Sequence, residues 1–324
     1  MERVYERVKK RLSEVIADGT ANRFIGWKKG EFYHDQTPAV FTNANDEDFI
    51  YDGFSSPNLS KYLIAESKKD GKITALLKPC DSYSFNQLLK EHRITRENVY
   101  IIGVPCAGKI DVQKIRDKGI NGILSIEESG ADVIVKTLYG EEIIPRGNVT
   151  LERCLTCRGS KHMIADEVIE RESESKFVPQ NRFSKLEELE AMTADERFEF
   201  WQNQLSKCIR CNSCRNVCPA CSCVKCVFDN VKSGVASKVS SDKSEDSMFH
   251  IIRAFHVSGR CTDCGECSRV CPQSIPLHLL NRKFISDINS LYGEYQAGED
   301  IELECPLTDF KEDDIEPIGT GGKK

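Results

Sequence analysis

Hydrophobic positions at the start of the chain recur every fourth residue. Val4, Val8, Leu12 and Ile16 within MERVYERVKKRLSEVIADG form one stripe, the signature of an amphipathic helix. The period then changes. KITALLKPC reads as a short apolar strand ending at Cys80, DSYSFNQLLKEH as a helix N-capped by Asp81, and NVYIIGVPC as a second strand ending at Cys106. A strand–helix–strand unit requires parallel strands. Cys80 and Cys106 therefore belong on one sheet edge, where α/β folds place ligands. Beyond residue 192 the pattern is helical. Thr193-Ala-Asp-Glu196 is a capping box for a helix reaching Lys207, and MFHIIRAFHV is a helix stopped by Ser258-Gly259. Pro276 opens a third helix, with Leu280, Phe284, Ile288 and Leu291 on one face and Gly293 at its end. The charged, Pro-containing stretch ERESESKFVPQNRFSKLEELE reads as a linker. The predicted fold class is α+β. An α/β domain with a βαβ unit spans 1–170, a linker 171–192, a mainly helical domain 193–295 and a tail 296–324.

Composition narrows the function classes. The 324 residues carry a formal net charge of −6 with 30% charged side chains, which offers no global attraction to nucleic acid or anionic lipid. No apolar run approaches membrane-spanning length. Charges throughout the first nineteen residues exclude a signal peptide, so a cytoplasmic protein is expected. Sixteen cysteines in a reducing compartment favour metal binding over disulfides. None precedes Cys80, and eleven lie between Cys208 and Cys271.

Their spacing carries the strongest signal. Cys208, Cys211, Cys214 and Cys218 precede Pro219, and Cys261, Cys264, Cys267 and Cys271 precede Pro272. Both runs read C-x2-C-x2-C-x3-C-P, the bacterial ferredoxin pattern, in which the fourth cysteine serves the other cluster. Cys208, Cys211, Cys214 and Cys271 would hold one [4Fe–4S] cluster. Cys261, Cys264, Cys267 and Cys218 would hold a second. Zinc also favours C-x2-C pairs, but it leaves the third cysteine and the C-x3-C-P ending unexplained. Forty-two residues separate Cys218 from Cys261, opening with the polar loop KSGVASKVSSDKSEDS. Cluster loops set among helices resemble the alpha-helical ferredoxin domain of respiratory iron–sulfur subunits, over about residues 193–293.

Four further thiols lie upstream: Cys80, Cys106, and the pair Cys154 and Cys157 in CLTC. From the residues alone they could be buried small hydrophobes, a zinc or redox pair, or a third cluster site. KPC, GVPC and CLTC joined to ferredoxin runs resemble the beta-subunit family of coenzyme F420 (deazaflavin) hydrogenases and formate dehydrogenases, over roughly residues 20–170. That resemblance implies a third [4Fe–4S] cluster on Cys80, Cys106, Cys154 and Cys157, with FAD beside it. The chain departs from that family after the pair, where RGSKHMIADEVIERE lacks a closing glycine. Gly103-Val-Pro-Cys-Ala-Gly-Lys109 nearly spells a P-loop, but Ile110 stands where magnesium needs Ser or Thr, and Pro105 removes a phosphate-binding amide.

Cys221, Cys223, Cys226 and Cys305 remain. They read as free thiols packed near a cubane, or as C-x-C-x2-C ligands of a fourth centre with Cys305 as a distant fourth. His250 and His256, six apart, share no helix face and do not form an i, i+4 ligand pair. Lys207, Arg210, Arg215, Arg260 and Arg269 flank the cluster cysteines as solvated surface or as compensation of cluster charge. No nucleophile–base constellation is present. The resemblance implies an electron-transfer subunit of an anaerobic oxidoreductase complex. Its partner would be a hydrogenase, a formate dehydrogenase or a heterodisulfide reductase-like module. The alternatives are a stand-alone flavoenzyme passing hydride between NAD(P)H or deazaflavin and ferredoxin, and a zinc-stabilised scaffold.

Overall fold

The computed structural model describes residues 2–159, 161–170, 180–230, 232 and 243–309. Helix α1 (Glu2–Ala17) is followed by strands β1 (Arg23–Lys29), β2 (Gln36–Phe41) and β3 (Phe49–Ile50). A short helix α2 (Leu63–Glu66) leads to β4 (Ile73–Leu77), helix α3 (Pro79–Lys90) and β5 (Val99–Gly103). Strand β4 runs between β1 and β5, parallel to both, with Leu77 opposite Gly103. All five of its residues are buried, as a strand covered on both faces must be. Val8, Leu12 and Val15 of α1 join the core beneath this sheet. The expected βαβ unit is present, with one correction at its turn. Lys78, not Asp81, is the N-cap of α3, because Pro79 fits the first helical position and pulls Cys80 and Asp81 into the first turn.

Helix α4 (Val112–Arg116) and strands β6 (Ile123–Ser129), β7 (Asp132–Thr137) and β8 (Gly140–Pro145) follow. The strands make a separate antiparallel sheet with its own small core around Ile115, Val133 and Val135. Helix α5 (Glu152–Leu155) carries Cys154, and β9 (Glu167–Val168) closes the large sheet beside β5.

The C-terminal half is helical among the described residues. Helix α6 (Ser184–Glu190) occupies the end of the expected linker, burying Leu186 and Leu189; residues 171–179 of that stretch lie outside the described residues. Helix α7 (Ala194–Leu205) starts at the Thr193–Glu196 capping box. One-turn helices α8 (Ser213–Asn216) and α10 (Glu266–Arg269) follow the two cysteine loops. Helix α9 (Lys243–His256) starts earlier than MFHIIRAFHV suggested, and most of the preceding polar loop lies outside the described residues. Helix α11 (Leu277–Tyr292) buries Leu277, Asn281, Ile285 and Ile288, while Leu291 is exposed. The expected stripe was thus rotated, because polar Asn281 and Arg282 point inward.

The two halves are tied by buried polar contacts. Arg282 bonds Asp263 at 2.8 Å and Thr156 at 2.7 Å. Asn86 donates to the Gly298 carbonyl at 3.1 Å, and Ser84 meets Thr262 at 2.9 Å. Arg153, next to Cys154, pairs with Glu266, between Cys264 and Cys267, and donates to the Cys264 carbonyl at 2.8 Å.

Candidate metal centres

The two ferredoxin runs fold into the same loop twice. Arg210 and Asn212 adopt left-handed φ values of 54° and 62°, and Asp263 and Gly265, at the equivalent places, 55° and 66°. Asn, Asp and Gly tolerate this conformation best. It turns successive amides inward, and Arg210 N–H donates to Cys208 Sγ at 3.3 Å. The amides of Asp263 and Glu266 do the same for Cys261 and Cys264. Gly265 is further constrained, since a Cβ there would come within 2.7 Å of the Arg153 side chain.

Each loop then exchanges its last cysteine. Cys208, Cys211, Cys214 and Cys271 line one small cavity of about 20 Å³. Cys218, Cys261, Cys264 and Cys267 line another of about 20 Å³. These are the crossed sets expected from spacing. All sixteen cysteines are free thiols. Burial raises the Cys214 thiol to about 11 and also raises Cys261, Cys264 and Cys267. Thiolates there need compensating positive charge or bound metal.

In the N-terminal half the βαβ edge gathers the other four. Cys80, in the first turn of α3, hydrogen-bonds Cys157, which lowers Cys157 to about 7 with help from the Gly159 amide at 3.2 Å. Burial raises Cys154 to about 11, and its charged neighbours include Cys106 and Cys157. A Cβ on Gly159 would meet the Cys80 amide nitrogen at 2.9 Å, so the CLTC turn sits directly on the start of α3. Lys109, from the near-P-loop, is buried over the Tyr51 ring at 4.3 Å and donates to the Asp52 carbonyl at 2.6 Å. Its lysine faces the core and not a phosphate cradle.

A family model described as 4Fe-4S dicluster domain matches residues 204–275. The F420-dependent formate dehydrogenase subunit beta of Methanocaldococcus jannaschii is 26% identical over 349 residues, covering 90% of both chains. The F420-dependent formate dehydrogenase 1 subunit beta of Methanococcus maripaludis is 27% identical over 357 residues, covering 90% of this chain and 89% of the relative. The chain is similar to these beta subunits over nine-tenths of its length. A solved F420-reducing [NiFe] hydrogenase complex from Methanosarcina barkeri, derivatised with xenon, aligns over 48% of this chain and 62% of that one. At 12% identity and a TM-score of 0.36 that overlap carries no weight.

What the chain adds beyond its cysteines is charge. Arg253 on α9 is 1% exposed, and none of its three guanidinium nitrogens has a hydrogen-bond partner among the described residues. Burial opposes its charge, but Cys267, Cys218, Cys214 and Cys221 outweigh that and raise its pKa. The guanidinium thus stands between the two crossed sets. An orphaned buried cation beside thiols of both sets fits two anionic clusters, whose sulfurs would accept its hydrogen bonds. Arg253 was not singled out from the sequence. Its signal was an arginine sharing the inward face of α9 with Phe249 and His250. Four of the cations flanking the cluster cysteines are each paired with a carboxylate: Arg210 with Asp246 at 3.5 Å, Arg215 with Asp229 at 2.8 Å, Arg260 with Glu91 at 2.6 Å and Arg269 with Glu266 at 2.8 Å. His250 Nε2 lies 3.2 Å from Cys208 Sγ, and burial lowers the ring's pKa to about 3. It touches a candidate ligand rather than serving as one.

A cavity between the two sheets, near Lys109, offers the aromatic walls of Tyr5, Phe49, Tyr51 and Phe54. Asp52, Glu127 and Glu128 face it against a single Lys29. A flavin ring fits such walls, and of the three carboxylates Glu127 is paired with Lys136 and Glu128 with Arg146.

Proposed function

We propose that the chain is an iron–sulfur electron-transfer subunit of a cytoplasmic F420-dependent oxidoreductase complex, working with a formate dehydrogenase- or hydrogenase-type catalytic partner. The observation that carries this is the exchange of Cys218 and Cys271 between two matched loops with Arg253 between them. Cys80, Cys106, Cys154 and Cys157 are the ligands of a third centre. When bound, each cubane supplies one-electron chemistry. The chain's own residues set its terms: inward amides and Arg253 stabilise negative charge at the sulfurs, and burial excludes water from them. Arg153 and Glu266 hold the N-terminal set against the second C-terminal set. No helix among the described residues is long and apolar enough to cross a membrane. The relatives' names support the partner assignment. The aromatic walls of the cavity between the sheets support FAD as a further cofactor.

Anaerobic purification with iron, sulfide, zinc and flavin quantified, followed by EPR, tests this reading. The three sets account for about twelve irons, at four per cubane. About eight would remove the N-terminal centre. Zinc in place of iron and sulfide would overturn the reading.

A further inference from the structure

Cys221, Cys223 and Cys226 have no role in the three sets, yet they do not scatter. All three line one cavity of about 320 Å³ beside the second cluster site. Cys305, the distant partner the sequence offered, lies elsewhere, beneath Gly259 in a small core with Tyr295. Two further potential ligands line that cavity, His256 at the end of α9 and Asp229, whose carboxylate is taken up by Arg215 at 2.8 Å. Unpartnered Arg253 also lines it.

The loop bearing these thiols is held from outside. Lys61 Nζ donates to the carbonyl of Cys218 at 2.9 Å and also to that of Cys221. Arg93 donates to the Ser222 carbonyl, and the Ser222 hydroxyl donates to Glu91 at 2.9 Å. Glu91 is itself clamped by Arg260. Arg215 hydrogen-bonds the sulfur of Cys226. A C-x-C-x2-C segment fixed at its backbone, with cations on its walls, is organised for an anionic metal–sulfur group.

We propose that Cys221, Cys223 and Cys226, with His256 as a nitrogen ligand, hold a further [4Fe–4S] cluster. This rests on the reading that the two crossed sets bind cubanes. The thiols of Cys218 and Cys221 hydrogen-bond each other, so the new centre adjoins the second one. Cys223 is exposed and its neighbour Val224 is 90% exposed. The new centre is therefore the point where electrons leave for, or arrive from, a docked partner.

The test uses the full chain, purified anaerobically and reconstituted with iron and sulfide. Cys223→Ser is chosen because that side chain is exposed, and His256→Ala removes the nitrogen ligand. Each variant is expected to hold about four irons fewer than wild type while keeping the EPR signals of the other two C-terminal centres. His256→Cys should restore the iron with a shifted midpoint potential, because thiolate replaces imidazole. Equal iron in wild type, C223S and H256A, or zinc at this site, would overturn the inference and leave the crossed clusters standing. Wild-type protein without iron would sink both.

Discussion

Replacing Arg253 with methionine should make the C-terminal centres harder to reduce. The guanidinium is buried without a hydrogen-bond partner, and its charge acts on Cys267, Cys218 and Cys214, members of both crossed sets. Opposite charges that shift one another's ionisation lie about 6 Å apart or less. With an effective dielectric near 20, Coulomb's law then gives about 3 kcal/mol for one added electron. For a one-electron couple that is on the order of 100 mV. Redox titration followed by EPR on anaerobic R253M should show both midpoints lowered by about that much, with iron content near wild type. Methionine fills a similar volume, so packing changes little. The thermal consequence has a sign that depends on the clusters. Removing a cation that pairs with anionic centres costs about 3–5 kcal/mol, whereas removing a buried charge with no partner stabilises. Midpoints within about 20 mV of wild type, on a scale of 100 mV expected from the Coulomb term, would refute the placement of this charge between two clusters.

Three smaller perturbations follow from the same contacts. Burial would raise the Glu266 carboxyl, but Arg269 and Arg153 outweigh it and hold the pKa at about 2, below its ordinary 4.5. Its stabilisation, about 3 kcal/mol from that difference, is complete above pH 4.5 and disappears as pH falls through 2. Glu266→Gln should melt lower at pH 7 and lose less between pH 4.5 and 2, and parallel melting curves would contradict this. Lys61→Met removes two charge-assisted bonds to the carbonyls of Cys218 and Cys221, costing about 2–3 kcal/mol and speeding iron loss to a chelator. Thr193→Ala breaks the capping box of α7 and should cost about 1 kcal/mol in thermal unfolding, with iron content unchanged.

The candidate centres were legible to the degree that their chemistry is local. Three irons of a cubane demand cysteines within one loop, so both ferredoxin runs and even their exchange could be read from spacing. The N-terminal four are far apart in sequence, and only the parallel pairing of β4 with β5 brings Cys80 and Cys106 to one edge. The Asp81 cap was misplaced because Pro79 competes for the first turn and wins. Strands β6–β8 were not foreseen, since their alternation is blurred by exposed Leu124 and Ile143 and a register shift near Ser125. Helix α11 misled because its inward face carries Asn281 and Arg282, which bind partners from distant segments. The same holds for Arg253, whose place is set by thiols from two other loops.

The traded cysteines have one more consequence. Neither loop owns a complete site: damage to the centre that borrows Cys218 frees a sulfur supplied by the first loop, and the converse holds for Cys271. Iron should therefore enter and leave the pair together, so that partly loaded protein divides into full and empty molecules with few holding a single cubane.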